Sequence, residues 1–191
     1  LDEVMQRLVL PEECILVHTS GTKTLEELER LVGIYSDVPA HTGVFYPLQT
    51  FNREVPIQFT EVPLCIEAST PATESILIKL AQDLSNVVYI MSSEERAIMH
   101  VAAVFACNFT NHLFAISKRM LDAEHLEYDL LKPLIRETVR KALEAPDPAM
   151  VQTGPARRGD HQIIERHLDY LERYPAYQGL YEVLTESIMK K

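Results

Sequence analysis

The sequence predicts an α/β region followed by an all-helical region, and three observations lead to this fold class. Over residues 1–91, short apolar segments alternate with amphipathic ones, which is typical of strands joined by helices in a largely parallel sheet. No strand pattern occurs after residue 91, and four helical patterns occupy residues 92–191. The chain has 191 residues, enough for one domain or two modest ones. We therefore expect two domains, 1–91 and 92–191.

The first region begins with an opening helix, already under way at Leu1, and continues with four predicted strands. These strands lie in "CILVHTS", "HTGVFYPLQTF", "PLCIEAS" and "NVVYIM". Pro47 interrupts the second of them. This second strand therefore lies at a sheet edge or ends at Pro47. The connecting helices are "TKTLEELERLVG", capped by Thr22 or Thr24 and ended by Gly33, and "PATESILIKLAQDLS".

The second region opens with a long helix. Ser92 is followed three residues later by Glu95, which is the spacing of a capping box. Between Ile98 and Phe109 the helix is nearly all apolar, and we expect it to be buried on most sides. A helix with Pro133 near its first turn or at a kink, a loop and two further helices complete the pattern.

Composition excludes several classes of protein. The net charge of −10 argues against nucleic acid or an acidic membrane as partner, and no apolar run approaches the ~20 residues of a membrane helix. Three scattered cysteines, Cys14, Cys65 and Cys107, lie among apolar neighbours. We expect them to be buried free thiols in a reducing cytoplasm, and no spacing of residues predicts a metal site.

The first candidate site follows the first predicted strand, at "VHTSG". In doubly wound sheets, ligands bind at the carboxyl edge, where such a segment lies. His18 and Ser20 could hydrogen-bond a substrate there, and Gly21 allows close approach of the backbone. A catalytic Ser/His pair is not expected, because side chains of successive strand positions point to opposite faces.

Polar residues along the long helix form a second candidate site. At about 100° per residue, Arg96, His100 and Asn111 fall within roughly 60° of one another, with Asn108 further round the helix. One interpretation is that each is a hydrogen-bonded polar group of the core. The other is that the row faces a cleft, with His100 as the member that can exchange a proton near neutral pH.

The segment "TGPARRGD" over residues 153–160 is the third candidate. Asp160 is placed to cap the helix that starts at His161, and the glycines and proline shape the turn before it. A structured turn explains most of the motif. Arg157 and Arg158 are left over, and an arginine beside a helix N-terminus suits an anionic ligand or a partner carboxylate.

Four of these segments, "HTSG", "YPLQTF", "HVAAVFACN" and "TGPARRGD", together resemble one family in order and spacing. It is the family of Rossmann-like NADP oxidoreductases whose helical second half is domain of unknown function 2520, related to pyrroline-5-carboxylate reductase and the β-hydroxyacid dehydrogenases. The family usually has His before the Pro of "PLQTF". Tyr46 stands there in this chain, which weakens a proton-transfer role at that position.

The resemblance implies the remainder of a Rossmann-like sheet over 1–91 and a helical, dimerising domain over 92–191. It implies that "HTSG" lies near the meeting point of nicotinamide and substrate, and that His100 is the catalytic residue. The residues expected to bind substrate are His18, Ser20, Gly21, Gln49, Arg96, Asn108, Asn111 and Arg158.

The same resemblance implies an NADP-dependent oxidoreductase acting on a small carbonyl or imine compound in a cleft between the two domains. NAD or deazaflavin stays open as cofactor, because none of the six glycines forms the GxGxxG turn that holds a pyrophosphate. We expect the nucleotide-binding half to lie outside this sequence, and a homodimer to form through the helical domain. The alternative is a non-catalytic nucleotide-binding or scaffolding dimer.

Overall fold

The computed structural model describes residues 1–190, which form two compact units. The first unit is Leu1–Thr110, and the second begins at Asn111. Each unit is described by itself below.

A four-stranded sheet organises the first unit. Its strands, in spatial order, are β1 (Ile15–His18), β2 (His41–Pro47), β3 (Leu64–Ala68) and β4 (Val88–Ile90). The β1–β2 and β3–β4 pairs are parallel, whereas β2 and β3 are antiparallel. The predicted α/β class with a mostly parallel sheet is thus confirmed. β2 ends at Pro47, which is one of the two alternatives predicted for this strand.

Three helices accompany the sheet: α1 (Asp2–Met5), α2 (Leu25–Tyr35) and α3 (Pro71–Leu84). Thr24 caps α2, since its side-chain oxygen accepts a hydrogen bond from the Glu27 amide at 3.0 Å. The predicted stop at Gly33 is wrong, because α2 continues for two further residues. Leu31 and Val32 are buried just before that glycine, and their packing holds the helix beyond it.

The core of the first unit lies on both faces of the sheet. Ile15 and Val17 pack with a cluster that contains β3 and Leu77 of α3, whereas Leu16 packs with a cluster that contains Leu28 of α2. Neighbouring strand residues point to opposite faces, so α2 and α3 cover the two sides of the sheet. This core fixes the strand ends at which the candidate site lies.

The long helix is continuous but changes its winding. It consists of α4 (Ser93–Ala103), a π-helical segment (Val104–Phe109) and α5 (Thr110–Ala123). The predicted capping box is confirmed: Ser92 accepts from the Glu95 amide, and Glu95 accepts from the Ser92 amide. A π turn holds more residues than an α turn, so the side chains beyond it rotate relative to those before it.

The expected burial of this helix is wrong within the single chain. Ile98, Val101 and Phe105 are 72%, 57% and 66% exposed, and Arg96 is the only residue of α4 that is buried. The apolar pattern therefore marks a face that this chain does not cover with its own residues. By length and composition the helix Ser93–Ala123 could also cross a membrane, which is weak evidence because core helices of water-soluble proteins often meet the same criterion.

The second unit is all-helical over its described residues. After α5 it contains α6 (Lys132–Glu144), α7 (Pro155–Arg158), α8 (His161–Leu171) and α9 (Pro175–Met189), with short 3₁₀ turns between them. The expected cap at Asp160 is confirmed, because its carboxylate accepts from the Ile163 amide at 3.2 Å. Gly154 and Gly159, with φ of 104° and 66°, form the turn that "TGPARRGD" predicts.

Candidate functional site

The centre of the candidate site is a contact between Tyr46 and His100. Tyr46 lies near the end of β2, and His100 lies two turns into α4. Tyr46 Oη is 3.3 Å from His100 Nδ1, and the two rings meet edge to face. Burial raises the pKa of Tyr46 above its usual value, with Cys65 adding to the effect and the Arg96 cation opposing it. Two groups able to exchange a proton thus share one hydrogen bond.

Gly21 lies directly against this pair. A Cβ atom at Gly21 would be 2.6 Å from His100 Nδ1 and 3.0 Å from Tyr46 Cζ, closer than side chains normally approach. Only glycine therefore fits here without displacing one of the two rings. The loop after β1 and the long helix meet at this point, as the positions of "VHTSG" and His100 in the sequence suggested.

His18 and Ser20 shape the loop and do not form a nucleophilic pair. The His18 Nδ1 atom accepts from the Ser20 amide at 3.2 Å, so the proton of the neutral ring is on Nε2. Burial lowers the pKa of His18, the Arg96 cation lowers it further, and the Thr24 carbonyl with Glu67 and Glu27 acts in the opposite direction. His18 is therefore neutral at physiological pH.

Ser20 completes the turn with its hydroxyl. Its Oγ accepts from the Thr22 and Lys23 amides at 3.3 and 3.2 Å. The Ser20 hydroxyl is thus used for local structure, as is common for serine after a strand.

Arg96 is buried in an ion pair. Its Nη1 donates to Glu67 Oε2 at 2.6 Å, and its Nη2 donates to the Lys23 carbonyl at 2.6 Å and to Ser93 Oγ at 3.1 Å. Only 1% of the Arg96 side chain is exposed. The contact of Arg96 with a substrate stays a prediction, and Nη1 and Nη2 of its guanidinium already donate to the protein, whereas Nε has no hydrogen bond within the described residues.

A cavity of about 640 Å³ opens beside Tyr46 and His100 within the first unit. Apolar residues form most of its wall. Its polar lining residues are Tyr46, Gln49, Thr50, His100, Cys107 and Asn108. Gln49, His100 and Asn108 were predicted site residues, and the structure brings them to one cavity. The expected burial of Cys107 is wrong, because its thiol is exposed at this wall.

The π-helical segment accounts for the position of Asn108. In an uninterrupted α-helix, Asn108 would be turned by roughly 80° from His100, at about 100° per residue. The wider turn over Val104–Phe109 reduces this angle, and both side chains line the cavity. π turns are rare and occur often at functional sites. Asn111 and Arg158 belong to the second unit, are exposed, and are absent from the lining of this cavity.

A second cavity of about 350 Å³ lies within the second unit and is almost entirely apolar. Its lining includes Leu113, Ile116 and Leu184, with His167 and Tyr181 joined by a 2.8 Å hydrogen bond. Within residues 1–190, no group of three His, Cys, Asp or Glu side chains could hold a metal ion. The polar cavity of the first unit is therefore the better candidate for chemistry.

The sheet, its two covering helices and a site at the carboxyl end of β1 define the Rossmann-like class of α/β proteins. The model of domain of unknown function 2520 matches residues 62–188, and the chain belongs to this family. A search of curated protein sequences finds no match.

Solved structures show the same fold. A protein of Bacteroides fragilis named as a candidate NADP oxidoreductase is 44% identical, with a TM-score of 0.84 over 93% of this chain and 65% of that one. A protein of Thermotoga maritima is 23% identical, with a TM-score of 0.67 over 91% and 67% of the two chains. An imine reductase of Myxococcus stipitatus in complex with NADP⁺ is 15% identical, with a TM-score of 0.55 over 98% and 67%. This chain thus spans about two thirds of their length.

Proposed function

We propose that this chain carries the proton-transfer site and part of the substrate cavity of an NADP-dependent oxidoreductase that acts on a small carbonyl or imine compound. The observation that carries the proposal is the contact of Tyr46 with His100 beside a partly polar cavity. The name of the B. fragilis relative and the NADP⁺ bound to the M. stipitatus enzyme support it.

Tyr46 and His100 handle the proton in this proposal. The Tyr46 hydroxyl is protonated at neutral pH, a form that its raised pKa favours further, and it donates to His100 Nδ1 when the imidazole proton is on Nε2. When a substrate nitrogen or oxygen gains negative charge, this pair supplies a proton to it, and in the reverse reaction it accepts one. His100 is the catalytic residue, and Tyr46 joins it as a second one.

Two features of the chain fit the nicotinamide end of an NADP molecule. His18 Nε2 is buried and makes no hydrogen bond within residues 1–190, although the Thr24 carbonyl lies near enough to raise the pKa of the ring, and Gly21 brings bare backbone to the Tyr46–His100 contact. His18, Ser20 and Gly21 would hold that end, and no GxGxxG motif in this sequence would hold the pyrophosphate. The cofactor, when bound, supplies the hydride.

The remaining predicted residues orient the substrate. Gln49 and Asn108 offer amide groups at the cavity wall, where they can hydrogen-bond a carbonyl or imine compound. Asn111 and Arg158 are proposed as substrate contacts on the ground of family resemblance alone. The functional division at residues 91 and 92 is likewise a proposal, with the long helix as the first element of the helical domain.

A second copy of the chain is the proposed partner of the helical domain. Ile98, Val101, Phe105 and Phe109 recur along one side of the long helix and are 49–72% exposed. Covering such a stripe with the same stripe of another copy is the usual solution in symmetric dimers. We propose a homodimer in the cytoplasm, without nucleic acid or membrane as partner.

Replacement of His100 by Ala in the full-length protein tests the proposed function. With NADPH and a panel of small carbonyl and imine compounds, kcat should fall by on the order of 10²–10⁴ while NADPH affinity stays unchanged. His112→Ala, which removes an exposed imidazole from the same long helix, is the matched control and should keep wild-type turnover. If the wild type binds NADPH but turns over none of the compounds, a non-catalytic nucleotide-binding dimer is favoured. If the wild type uses NADH or a deazaflavin and not NADPH, the cofactor is reassigned.

A further inference from the structure

The Arg96–Glu67 ion pair joins three elements of the first unit. Arg96 lies on α4, Glu67 lies on β3, and the Lys23 carbonyl that accepts from Arg96 lies in the loop between β1 and α2. Both contacts are 2.6 Å, slightly shorter than is typical even of charge-assisted N–H···O hydrogen bonds. One buried guanidinium therefore holds a strand, a loop and a helix at fixed separations.

Ser93 completes this junction. Its hydroxyl donates to Glu67 Oε2 at 2.8 Å and accepts from the Leu25 amide at 3.1 Å, while its own amide donates to Glu67 Oε1 at 3.1 Å. The first turn of α4 is thus bound to the start of α2 as well as to β3. Both carboxylate oxygens of Glu67 and both the amide and the hydroxyl of Ser93 contribute to the same junction.

The junction lies next to the candidate site along both segments that form it, α4 and the loop after β1. His100 follows Arg96 by one helical turn, on the same face of α4. Gly21 precedes Lys23 by two residues and contacts the Tyr46–His100 pair with no room for a Cβ atom. A shift of the Lys23 carbonyl away from α4 would therefore move Gly21 away from His100.

We propose that Arg96 and Glu67 are positioning residues, which hold the loop over residues 18–24 against α4 and thereby fix the Tyr46–His100 contact. This inference rests on the proposed function for the meaning of that contact, but the contact itself can be observed without turnover. Arg96 and Glu67 touch neither substrate nor cofactor in this role. They act through Gly21, Tyr46 and His100.

Electrostatics provides a second effect of the same residue. The Arg96 cation lowers the pKa of His18 and of Tyr46, in the latter case against the effect of burial. The other charged groups that act on His18 are Glu67 and Glu27. Loss of the cation should raise the pKa of His18. Exposure of the buried ring would raise this pKa as well, so the signal is assigned to the lost cation only where the thermal stability of the variant is unchanged.

Stability alone cannot test the proposal, because replacing a buried ion pair by neutral residues is often neutral for folding. The test variant is therefore the double replacement Arg96→Met with Glu67→Gln in the full-length protein. The Gln oxygen still accepts from the Ser93 amide, and no buried charge is left without a counterion. Arg96→Lys is the second variant, since it keeps the cation but loses the fork that reaches two acceptors at once.

We expect the double variant to fold with wild-type thermal stability, while its kcat falls by on the order of 100-fold because the Tyr46–His100 contact is displaced. Its NADPH affinity should fall to a smaller extent, because the displaced loop would hold only the nicotinamide end of the cofactor. The effect of Arg96 on the pKa of His18 is larger than the opposite effect of Glu67, so in ¹³C-histidine NMR spectra the His18 signal of the double variant should titrate at higher pH than in the wild type. The nuclear Overhauser contact of Gly21 with His100 should weaken. Arg96→Lys should keep the low His18 titration and recover part of kcat. The control pair Arg140→Met with Glu137→Gln removes an exposed ion pair of the second unit and should leave all of these measurements unchanged.

Wild-type kcat and an intact Gly21–His100 contact in the double variant would overturn the proposal. A parallel loss of kcat, NADPH affinity and thermal stability would overturn it too, because the pair would then be merely structural. If the wild type shows no turnover, the proposed function fails. The positioning role is then decided by the Gly21–His100 contact and the His18 titration.

Discussion

The two units of the chain differ in how far they bury their apolar residues. In the first unit, Leu64, Ile66 and Val44 are fully buried, and nearly all of its core residues are less than 4% exposed. In the second, the described buried apolar residues Ile116, Ala156, Ile164 and Leu171 all remain 6–9% exposed. Large apolar side chains such as Leu143 are mostly exposed there.

This difference shows what each unit contributes. The first unit completes its own core, so it can hold Tyr46, Gly21 and His100 at the short distances observed. The second unit leaves Leu130, Leu143 and Met150 75–80% exposed. In our proposal a second copy covers the stripe of Ile98, Val101, Phe105 and Phe109, which lies on the part of the long helix that belongs to the first unit. The predictions below test which exposed apolar surface is an interface and which residues belong to a completed core.

The largest effect is expected from a charge placed on the exposed apolar stripe. Phe105→Glu should weaken the dimer of the full-length protein by at least about 2 kcal/mol, or roughly 30-fold in Kd, because the partner would bury an unpaired carboxylate. Since Phe105 is 66% exposed within the chain, the monomer should stay folded. Sedimentation equilibrium measures the change.

Lys79→Glu on the exposed side of α3 is the control for this replacement, since it also changes a surface charge and should leave the association unchanged. A wild type that is monomeric at all concentrations would remove the second copy from the proposal and leave the stripe for another partner.

Sequence patterns predicted most of the fold because each element carries local signals. Ser92 and Asp160 were predicted as caps, and Thr24 was one of two candidates with Thr22. Each of the three accepts the expected backbone hydrogen bond. The exposure of the long helix was missed because apolar periodicity shows that a face needs covering but not which chain covers it. The pattern is the same for burial within a chain and between copies.

The site was predicted in part. Gln49, His100 and Asn108 share the cavity, but Asn108 reaches it through a π turn that ordinary helical periodicity does not reveal. Tyr46 was discounted because it replaces a family histidine, although a phenol can also donate a proton. The ion pair of Arg96 was not predicted, because its partner Glu67 is 29 residues away and such long-range pairing is invisible in local sequence.

The second prediction separates core from site within the first unit by means of two glycines. Gly43→Ala should destabilise this unit by about 1–3 kcal/mol, because the added Cβ would lie 2.5 Å from Leu77 Cδ1 and 3.0 Å from the Glu67 backbone oxygen. Gly21→Ala meets only the rings of His100 and Tyr46, which can move. It should change stability little and lower kcat by on the order of 10–100-fold.

Urea unfolding and steady-state kinetics of the full-length protein distinguish the two glycine variants. The contrast fails if Gly21→Ala loses as much stability as Gly43→Ala, since Gly21 would then belong to the core, or if it keeps wild-type kcat.

The smallest expected effect concerns the pH dependence of the first unit. The pKa of His18 is lowered from 6.5 in the folded state, mainly by burial, so below pH 6.5 the unfolded chain binds a proton that the folded chain does not. Its contribution to stability is thus fully present above pH 6.5 and is lost as the pH falls toward the lower folded value. The slope from this one group is at most about 1.4 kcal/mol per pH unit. His18→Gln should make the free energy of unfolding depend less on pH below pH 6.5, as measured by urea unfolding at a series of pH values.

The control is His41→Gln, which removes an exposed imidazole from the same sheet and should keep the wild-type slope. An unchanged slope in His18→Gln would mean that His18 is not held neutral by the fold.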